Sequence, residues 1–518
     1  MNGAQSLIRT LVDSDVTACF ANPGTSEMHF VKALDDVAEM RGVLALFEGV
    51  ATGAADGYGR MADHPAATLL HLGSGLANGS ANLHNARRAA TPMVNIVGDH
   101  ATHHKRFDAP LDSDIEAAAG TTAGWLRTAA RPEDVAGDAA EAIAAALGPP
   151  GRIATLILPA DVSWSEAPGA AAPVAPAVRA TVDEARIADV ATVLRSGEPT
   201  AILVGGSVTR ERGLVAASRV TQATGAKLLG ETFPARLERG AGRPDLERLA
   251  YLAEFIEMQL SGVRHLVLVD ARSPVSFFAY PGRPGDLVPE GCEVHTLATG
   301  SEDATGALEA LADLIGAPVD GVARTAANRP EIPTGDLDAG KVAAVVGALL
   351  PEGAIVVDEA QTAGIYAPGA TVGAPHHDWL TLCGGAIGMG IPLATGAAVA
   401  CPHRRVLTLE ADGSAMYTIQ GLWTQAREGL DVTTVVYNNG SYAILNMEMG
   451  RVGAEAPGPT ATSLLDISRP DLSFVSLAEG LGVPAVRVED AGALHTELAT
   501  SFHEPGPKLI EAMVPSGF

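Results

Sequence analysis

The segment from Val406 to Leu445 most constrains what this chain can fold into. Val406–Leu409 is a short apolar run rich in β-forming residues, and Val432–Tyr437 is a second one, as expected of buried parallel strands. Each run ends in a polar turn, the first at Asp412 and the second at Asn439. Because the carboxyl ends of neighbouring parallel strands meet at one edge of a sheet, we expect the two turns to form a ligand site in an open α/β sheet.

The two turns offer hard oxygen atoms from Asp412, Asn439 and the backbone around Ser441, which are the ligands that Mg²⁺ prefers. Helical spacing predicts one helix over Met416–Glu428, and amides at the start of this helix suit a diphosphate. Two ordinary Asx turns would use the same residue types. Asp412 and Asn439 are 27 residues apart, and the residue types alone do not decide between two separate turns and one site.

Composition excludes several classes of protein. At 518 residues the chain is too long for one core, and 47% of its residues are hydrophobic. A formal charge of −26 argues against nucleic acid as a partner. No apolar run reaches the length of a membrane span and no signal peptide is apparent, so we expect no membrane segment. The four cysteines lack paired spacing, which is typical of a reducing, cytoplasmic location.

Alternating strand and helix patterns predict three α/β domains, each a largely parallel sheet flanked by helices. We place them at 1–165, 182–318 and 336–518, with linkers between them. A Gly205–Ser207 turn in the middle domain is a weak dinucleotide signal, because the full GxGxxG pattern is absent. The predicted strands include Val16–Phe20, Val43–Phe47, Ala67–Leu70, Asn95–Gly98, Ile153–Leu158, Ala201–Val204, His265–Asp270 and Ile355–Glu359.

Glu48 follows a predicted strand directly and begins a helix that is rich in alanine and glycine. Because its side chains are so small, another element is expected to pack very close to this helix. A carboxylate at a helix amino terminus is ordinarily a surface charge stabilised by the helix dipole. Glu48 is a candidate catalytic residue only because of the sequence motif that surrounds it.

Several histidines occupy predicted loops. His71 is the first residue after a predicted strand, although a lone histidine is more often structural. His100, His103 and His104 lie together, but their spacing fits no common zinc motif. We interpret these three as loop residues that line or cover a pocket.

Taken together, Glu48, the glycine-rich turns and the Asp412/Asn439 pair resemble the signature of the thiamine diphosphate (ThDP)-dependent 2-oxo acid decarboxylase and acetolactate synthase superfamily. The resemblance covers essentially the whole chain, as pyrimidine, central and diphosphate domains. Ala411 stands where the family pattern has a first glycine. The resemblance implies ThDP and Mg²⁺ as cofactors, with Asp412, Asn439 and Ser441 as the metal ligands.

The resemblance also assigns roles around the cofactor. Glu48 would share a proton with N1′ of the aminopyrimidine, which requires an apolar, water-poor environment. The Gly385 carbonyl would accept from the 4′-amino group, and Ile387 would be the apolar wedge under the thiazolium ring. The cofactor-binding residues implied in this way are Gln361, Thr362, Gly385, Ile387, Asp412, Gly413, Ser414 and Asn439.

Within the superfamily, the motifs most resemble benzoylformate decarboxylase and acetolactate synthase large subunits. Thr25 would contact substrate, and His71 would transfer protons. Tyr280 falls near the position of a second catalytic histidine in the decarboxylase, and Leu111 replaces an active-site glutamine of the synthase. The implied substrate pocket is more apolar than pyruvate requires, and consists of Pro110, Leu111, Tyr280, Ile444 and Leu445.

The implied reaction is decarboxylation of a 2-oxo acid, followed either by carboligation or by release of an aldehyde. An FAD-containing oxidase and a catalytically weak ThDP-binding regulatory homologue remain alternatives, although bound FAD is not expected. The resemblance places Glu48 and the metal site of one active centre on different subunits. We therefore expect a homodimer as the minimum unit and a homotetramer as the assembly.

Overall fold

The computed structural model describes residues 1–320, 322–454 and 456–516, and within them the chain forms three β-sheets flanked by helices. Among the described residues, no helix is both long enough and apolar enough to cross a bilayer. The predicted α/β fold class is confirmed. The exact limits of the three predicted domains stay a prediction.

The first sheet is parallel throughout, with strand order β2-β1-β3-β4-β6-β5. Its strands are β1 (Ala18–Asn22), β2 (Arg41–Leu44), β3 (Ala66–Leu70), β4 (Met93–Asp99), β5 (Trp125–Thr128) and β6 (Ile153–Pro159). Its helices are α1 (Gly3–Asp13), α2 (Met28–Ala33), α3 (Glu48–Ala62), α4 (Leu72–Arg88), α5 (Ile115–Ala119), α6 (Val135–Leu147) and α7 (Ala160–Trp164). The strand order reverses direction around β1, which opens a crevice at the carboxyl ends of β1 and β3.

The second sheet is also parallel, with strand order β10-β8-β7-β11-β12. The middle segment contains β7 (Thr200–Val204), β8 (Lys227–Gly230), β9 (Leu237–Arg239), β10 (Glu247–Arg248), β11 (His265–Val269) and β12 (Glu293–Ala298). Its helices are α8 (Glu184–Arg195), α9 (Glu211–Thr224), α10 (Ala253–Gln259) and α11 (Ala304–Leu314). One strand of this segment, β9, pairs elsewhere.

The third sheet has the order β17-β18-β16-β15-β13-β14-β9, and the β9–β14 pair is antiparallel. Its other strands are β13 (Ile355–Glu359), β14 (His377–Thr381), β15 (Val406–Ala411), β16 (Val432–Asn438), β17 (Ala485–Val488) and β18 (Lys508–Met513). Its helices are α12 (Ala339–Leu349), α13 (Ala367–Ala370), α14 (Gly390–Ala400), α15 (Asp412–Thr418), α16 (Gly421–Glu428), α17 (Ala443–Arg451), α18 (Pro459–Ser463), α19 (Phe474–Gly480) and α20 (Ala491–His503).

The single helix predicted over Met416–Glu428 is wrong, because two helices, α15 and α16, occupy this region. The Thr418 hydroxyl donates to the Gly388 carbonyl at 2.9 Å, which fixes the end of α15. Gly421 then begins α16 in close contact with Ile391, where a Cβ would lie 2.8 Å from the Ile391 side chain. A helix-breaking glycine and a tertiary contact thus interrupt the apolar periodicity.

The predicted close packing of the helix that begins at Glu48 is present, and its neighbour is α14. A Cβ on Gly57 would overlap the Leu393 carbonyl oxygen, and a Cβ on Gly396 would overlap the Ala54 carbonyl oxygen. The backbones of α3 and α14 therefore touch, and no side chain separates them at these positions. This seam joins the first sheet to the third.

We expect Gly57→Ala to destabilise the protein by about 1–3 kcal/mol, since the added methyl meets backbone that has no room to move. The matched control is Gly137→Ala in α6, where nothing lies within 4 Å of the added methyl. That change should stabilise the helix by ~0.5–1 kcal/mol. Thermal unfolding of both variants measures the difference in stability. An equal Tm for the two variants would contradict close backbone contact between α3 and α14.

Candidate active site

The segments that follow four strands meet at the carboxyl edge of the third sheet, because β14, β13, β15 and β16 are adjacent and parallel. The strand order reverses between β13 and β15, which is where such sheets open a ligand crevice. The cofactor and metal residues predicted from the sequence lie in these segments, with Asp412, Gly413 and Ser414 in the first turn of α15: Gln361, Thr362, Gly385, Ile387, Asp412, Gly413, Ser414, Asn439 and Ser441.

The Asp412 carboxylate organises this edge. Its side chain is 2% exposed and accepts from the amides of Gly413 at 2.7 Å, Asn439 at 2.9 Å and Gly440 at 2.7 Å. Burial raises the pKa of Asp412, and the amides of Gly413, Gly440, Asn439 and Ser441 oppose this shift. The carboxylate therefore ties the start of α15 to the loop after β16.

The donor set at this edge has capacity left for a cation. A carboxylate has about four acceptor sites, and the three amides use three of those on Asp412. The Asn439 side-chain oxygen accepts one bond, from the Ser441 amide at 2.9 Å, and so keeps a second lone pair. Hard oxygens in this arrangement fit Mg²⁺ and not a softer metal ion.

The glycine-rich loop after β14 is held from both sides. Asn82 of α4 donates to the Gly388 carbonyl at 3.1 Å and to the Gly49 carbonyl at 2.8 Å. Gly385 has a φ of +74°, and nothing lies within 4 Å of the position of a Cβ. The space beside Gly385 is therefore open to a ligand, and its left-handed backbone favours glycine.

Beneath this loop lie two buried carboxyl groups that the sequence reading did not single out. Glu359 and Glu410 are cross-strand partners on β13 and β15, and each is 1% exposed. Glu359 accepts from the amides of Gly388, at 2.8 Å, and Gly390. Burial raises the pKa of Glu359 to about 7. Burial, and then the Glu359 charge, raise the pKa of Glu410 well above its ordinary value.

Glu48 lies at the carboxyl edge of the first sheet, as the first residue of α3. It is 9% exposed, and one carboxylate oxygen accepts from the Asn78 side chain at 3.0 Å. The other oxygen faces Gly75, where a Cβ would lie 3.2 Å away. Glu48 is therefore buried beside the Asn78 amide group. The absence of a side chain at Gly75 leaves space next to its other carboxylate oxygen.

His71 forms the second feature of this edge. Its Nδ1 lies 2.8 Å from a carboxylate oxygen of Glu27, which is 2% exposed. Because a carboxylate oxygen accepts, the proton of this bond lies on Nδ1, and Nε2 remains for a substrate. Glu27 is held in turn by the Gly24 amide, at 2.7 Å, and by the Ser26 hydroxyl.

The sequence reading missed Glu27. It named Thr25 as a substrate contact, and in the single chain Thr25 is exposed at the start of a short 3-10 turn (Thr25–Glu27). The Ser26 hydroxyl, not predicted, lies 3.3 Å from His71 Nδ1. The available signal was a glutamate shortly after the Asn22–Gly24 turn, which resembles an ordinary acidic residue at a helix start. The role of Thr25 stays a prediction.

The predicted pocket residues fall into two groups. Pro110 and Leu111 are exposed in a loop that Lys105 holds, by bonding Asp112 at 2.8 Å and Asp99 at 3.0 Å. Ile444 and Leu445 lie in the first turn of α17, and Leu445 is 45% exposed.

Tyr280 is buried at the opposite end of α17. The Arg451 guanidinium lies 4.7 Å from its ring centroid and also pairs with Glu254 of α10. Seven residues of helix separate Ile444 from Arg451, which is roughly 10 Å along the axis. Tyr280 therefore anchors α17 to the middle segment, and its place in the substrate pocket stays a prediction.

His100, His103 and His104 cluster loosely in the loop after β4. The rings of His100 and His104 are 5.6 Å apart, and His103 Nδ1 lies 3.7 Å from Asp161. Within the described part of the chain, the group of His, Cys, Asp and Glu side chains with metal-ligand spacing lies elsewhere.

The carboxyl edge of the second sheet is acidic. The Gly205–Ser207 turn follows β7, and Ser207 donates from its amide, at 2.8 Å, and its hydroxyl, at 2.9 Å, to Asp270. Burial raises the pKa of Asp270, and it raises the pKa of the nearby Glu231 to about 7, with the Asp270 charge adding to the shift. Groups that would hold a nucleotide phosphate are thus already bound to a carboxylate.

Comparison with known proteins finds matches in the parts of the chain that form the carboxyl edges of the first and third sheets. A family model described as "Thiamine pyrophosphate enzyme, N-terminal TPP binding domain" matches residues 1–119, and one described as "Thiamine pyrophosphate enzyme, C-terminal TPP binding domain" matches residues 367–512. The chain is 64% identical to a protein of Mycobacterium tuberculosis named "Putative acetolactate synthase large subunit IlvX", over 100% of this chain and 99% of that protein. This chain belongs to the thiamine pyrophosphate enzyme family.

Two further thiamine pyrophosphate enzymes match along nearly the whole chain. Benzoylformate decarboxylase of Pseudomonas aeruginosa is 28% identical over 96% of each chain. The solved structure of a thiamine diphosphate-dependent 4-hydroxybenzoylformate decarboxylase from Rhodococcus jostii RHA1 superimposes with a TM-score of 0.87 at 25% identity, over 99% of each chain. The resemblance stated from the motifs is confirmed at the level of the family and its cofactor, ThDP.

We expect thermal stability of this thiamine pyrophosphate enzyme to fall as the pH rises from about 5 to 8. The ordinary pKa of a glutamate is 4.5, and that of Glu359 is about 7 in the folded chain. The folded state therefore binds more protons than the unfolded state in this window, so stability is lost as they dissociate.

The variant Glu410→Gln should reduce this dependence, because it removes the proton that Glu410 itself binds in the folded state, whereas burial still raises the pKa of Glu359. Tm measured at several pH values gives the slope. Glu479→Gln, at an exposed position on α19, is the control and should keep the wild-type slope. Equal slopes in wild type and Glu410→Gln would rule out Glu410 as a contributor to the pH dependence.

Proposed function

We propose that this protein is a ThDP- and Mg²⁺-dependent enzyme that decarboxylates a 2-oxo acid with an apolar substituent. The observation that carries the proposal is the His71–Glu27 pair beside Glu48 at one carboxyl edge. Decarboxylation to an aldehyde requires a positioned proton donor after CO₂ leaves, and His71 supplies one.

Different residues of the chain have different proposed roles in the reaction. When bound, ThDP supplies an electron sink for the bond that breaks. Glu48 would hold a proton at the aminopyrimidine of the bound cofactor. Glu27 holds the His71 ring through Nδ1, so that Nε2 gives or takes the substrate proton.

The metal site rests on Asp412, Asn439 and Ser441. A diphosphate beside a buried carboxylate would be repelled unless a cation lay between them. The spare lone pairs on Asp412 and Asn439 support Mg²⁺ in that position. Gln361, Thr362, Gly413 and Ser414 line the same edge and are the proposed diphosphate contacts.

The proposed substrate class follows from the apolar side chains of the predicted pocket. Pro110, Leu111, Ile444 and Leu445 present apolar side chains, and Leu111 cannot hydrogen-bond a carboxylate. Two relatives that match nearly the whole chain act, by their names, on benzoylformate and 4-hydroxybenzoylformate. A third is named as an acetolactate synthase subunit, so carboligation remains the second candidate outcome of the same first step.

We further propose that FAD takes no part. The acidic edge of the second sheet supports this, since Asp270 occupies the amides of the Gly205–Ser207 turn and Glu231 adds a second carboxyl group. A flavin absorption band in the purified protein would contradict it. A regulatory homologue without activity is disfavoured by Glu48, Asp412 and Asn439, which are all in place.

The proposed functional unit is a homodimer, with a homotetramer as the assembly. Large apolar side chains are exposed beside both parts of the site in the single chain. Leu46, two residues before Glu48, is 46% exposed, and Tyr417 in α15 is 53% exposed. Apolar surface of this kind is typical of a contact with a second subunit.

A product assay tests the proposed reaction directly. With ThDP and Mg²⁺, we expect CO₂ and an aldehyde from benzoylformate and little product from pyruvate. Glu48→Gln should lower the rate at least ~100-fold, since it cannot hold the required proton.

Acetolactate from pyruvate would replace the decarboxylase proposal with a synthase. Equal turnover by Glu48→Gln would support the regulatory alternative. The same preparation should be sized by analytical ultracentrifugation, because a monomer that turned over substrate would contradict the shared site.

A second prediction concerns Glu27 as a positioning residue. Glu27→Gln should lower kcat by about 10–100-fold with little change in KM, since it loosens the orientation and tautomer of His71 without touching substrate. The pH dependence of kcat should change too, because the carboxylate beside the imidazole is gone.

The conservative variant Glu27→Asp should recover part of the rate. Glu39→Gln, at an exposed glutamate, is the matched control and should behave as wild type. A rise in KM at constant kcat would instead make Glu27 a substrate-binding residue.

A further inference from the structure

A group of side chains outside the site described above has metal-ligand spacing. His265, Glu293 and His295 each offer one ligand atom, and these atoms all lie within 4.8 Å of one another. They belong to β11 and β12, at the amino ends of the strands. This is the edge of the second sheet opposite to the acidic Asp270 edge.

Strand register explains why these residues meet. His265 and Glu293 are directly paired across β11 and β12, and His295 follows Glu293 by two positions. Residues two apart on a strand share a face, so all three project from the same side of the sheet. Position in the sequence gives no hint of this, because about 30 residues separate the two histidines.

The distances suit a transition-metal ion. His265 Nδ1 and His295 Nε2 are 3.1 Å apart. Two nitrogens bound to one zinc ion at about 2.0–2.1 Å are separated by roughly 2.9–3.4 Å, depending on the angle at the metal. A Glu293 carboxylate oxygen lies 3.9 Å from the first nitrogen and 4.0 Å from the second. The Glu293 side chain is 73% exposed, so it is free to rotate inward.

A second carboxylate fixes the tautomer of the buried histidine. Glu198 lies in the loop between α8 and β7, and its carboxylate accepts from His265 Nε2 at 2.9 Å. Since Nε2 then carries the proton, the lone pair of Nδ1 faces His295. A carboxylate behind a ligating histidine is the usual support of a protein metal site.

We propose that His265, His295 and Glu293 bind a divalent transition-metal ion of the Zn²⁺ class, with Glu198 supporting His265. Imidazole and carboxylate ligands together favour such an ion over Mg²⁺, which prefers oxygen ligands alone. Water completes the coordination, since the chain supplies three ligands.

The proposed ion has a structural role. β12 is the edge strand of the second sheet, and its partner is β11. The ion joins these two strands, and Glu198 extends the link to the loop before β7. It is independent of ThDP and of the reaction at the other edges.

In the metal-free chain, the same two nitrogens share a hydrogen bond. His295 Nε2–H donates to His265 Nδ1, since the proton of His265 is on Nε2. Binding the ion moves the His295 proton from Nε2 to Nδ1, with no net change in protons. The hydrogen bond between the two histidines is therefore a weak contact that the proposed metal ion replaces.

Zinc titration of the full-length protein tests the proposal. With saturating Mg²⁺ and free ThDP removed, we expect one Zn²⁺ to bind per chain and to raise Tm. His295→Gln and the exposed Glu293→Gln should each weaken Zn²⁺ binding at least ~10-fold, and Glu198→Gln should weaken it by a similar factor. His403→Gln, at an exposed histidine elsewhere, should bind as wild type.

Two outcomes would overturn the site. Binding that is absent, or that is unchanged by both His295→Gln and Glu293→Gln, would show that these residues do not hold the ion. Co²⁺ in place of Zn²⁺ gives an independent readout, since imidazole ligation changes its visible spectrum. A spectrum identical in wild type and His295→Gln would also contradict the proposal.

Discussion

The structure depends on the contact of α3 with α14, in which two helix backbones touch through small residues. Helices normally pack 8–10 Å apart because side chains separate them. Here Gly57 and Gly396 remove that separation, so the first and third sheets are fixed relative to each other. Arg60 strengthens the contact, as it pairs with Asp56 at 2.6 Å and donates to the Thr381 carbonyl at 2.8 Å. The buried charges are paired, as burial requires.

Two elements of the proposed site lie next to this contact. Glu48 begins α3, and the glycine-rich loop from Gly384 leads into α14. Asn82 donates to backbone carbonyls beside both of them, so one amide side chain links the start of α3 to the glycine-rich loop. In the proposed dimer these two parts of one chain serve different active centres, and a rigid junction between them preserves the geometry of both, because small shifts of a reacting group cost large factors in rate. Packing and chemistry are therefore not separable in this region.

Local patterns predicted much of this, and tertiary contacts account for the rest. The strand at Ile355–Glu359 and the helix start at Glu48 were predicted correctly, since both depend on short-range signals. The first strand was predicted two residues early, because Val16 and Thr17 are as β-prone as the residues that pair. The break between α15 and α16 arises from contacts with Ile391 and Gly388, about 30 residues away. Glu27 and the His265–His295 pair were missed for a similar reason, since the pairing of β1 with β3 and of β11 with β12 brings together residues that are distant in the sequence.

The antiparallel strand β9 has a consequence for the independence of the middle segment. It leaves its own sheet and caps β14 at the margin of the third sheet. Excising residues 182–318 would bare a row of unpaired amides and carbonyls along β14, which is a template for pairing with other chains. The segment thus acts as a shield against intermolecular sheet growth.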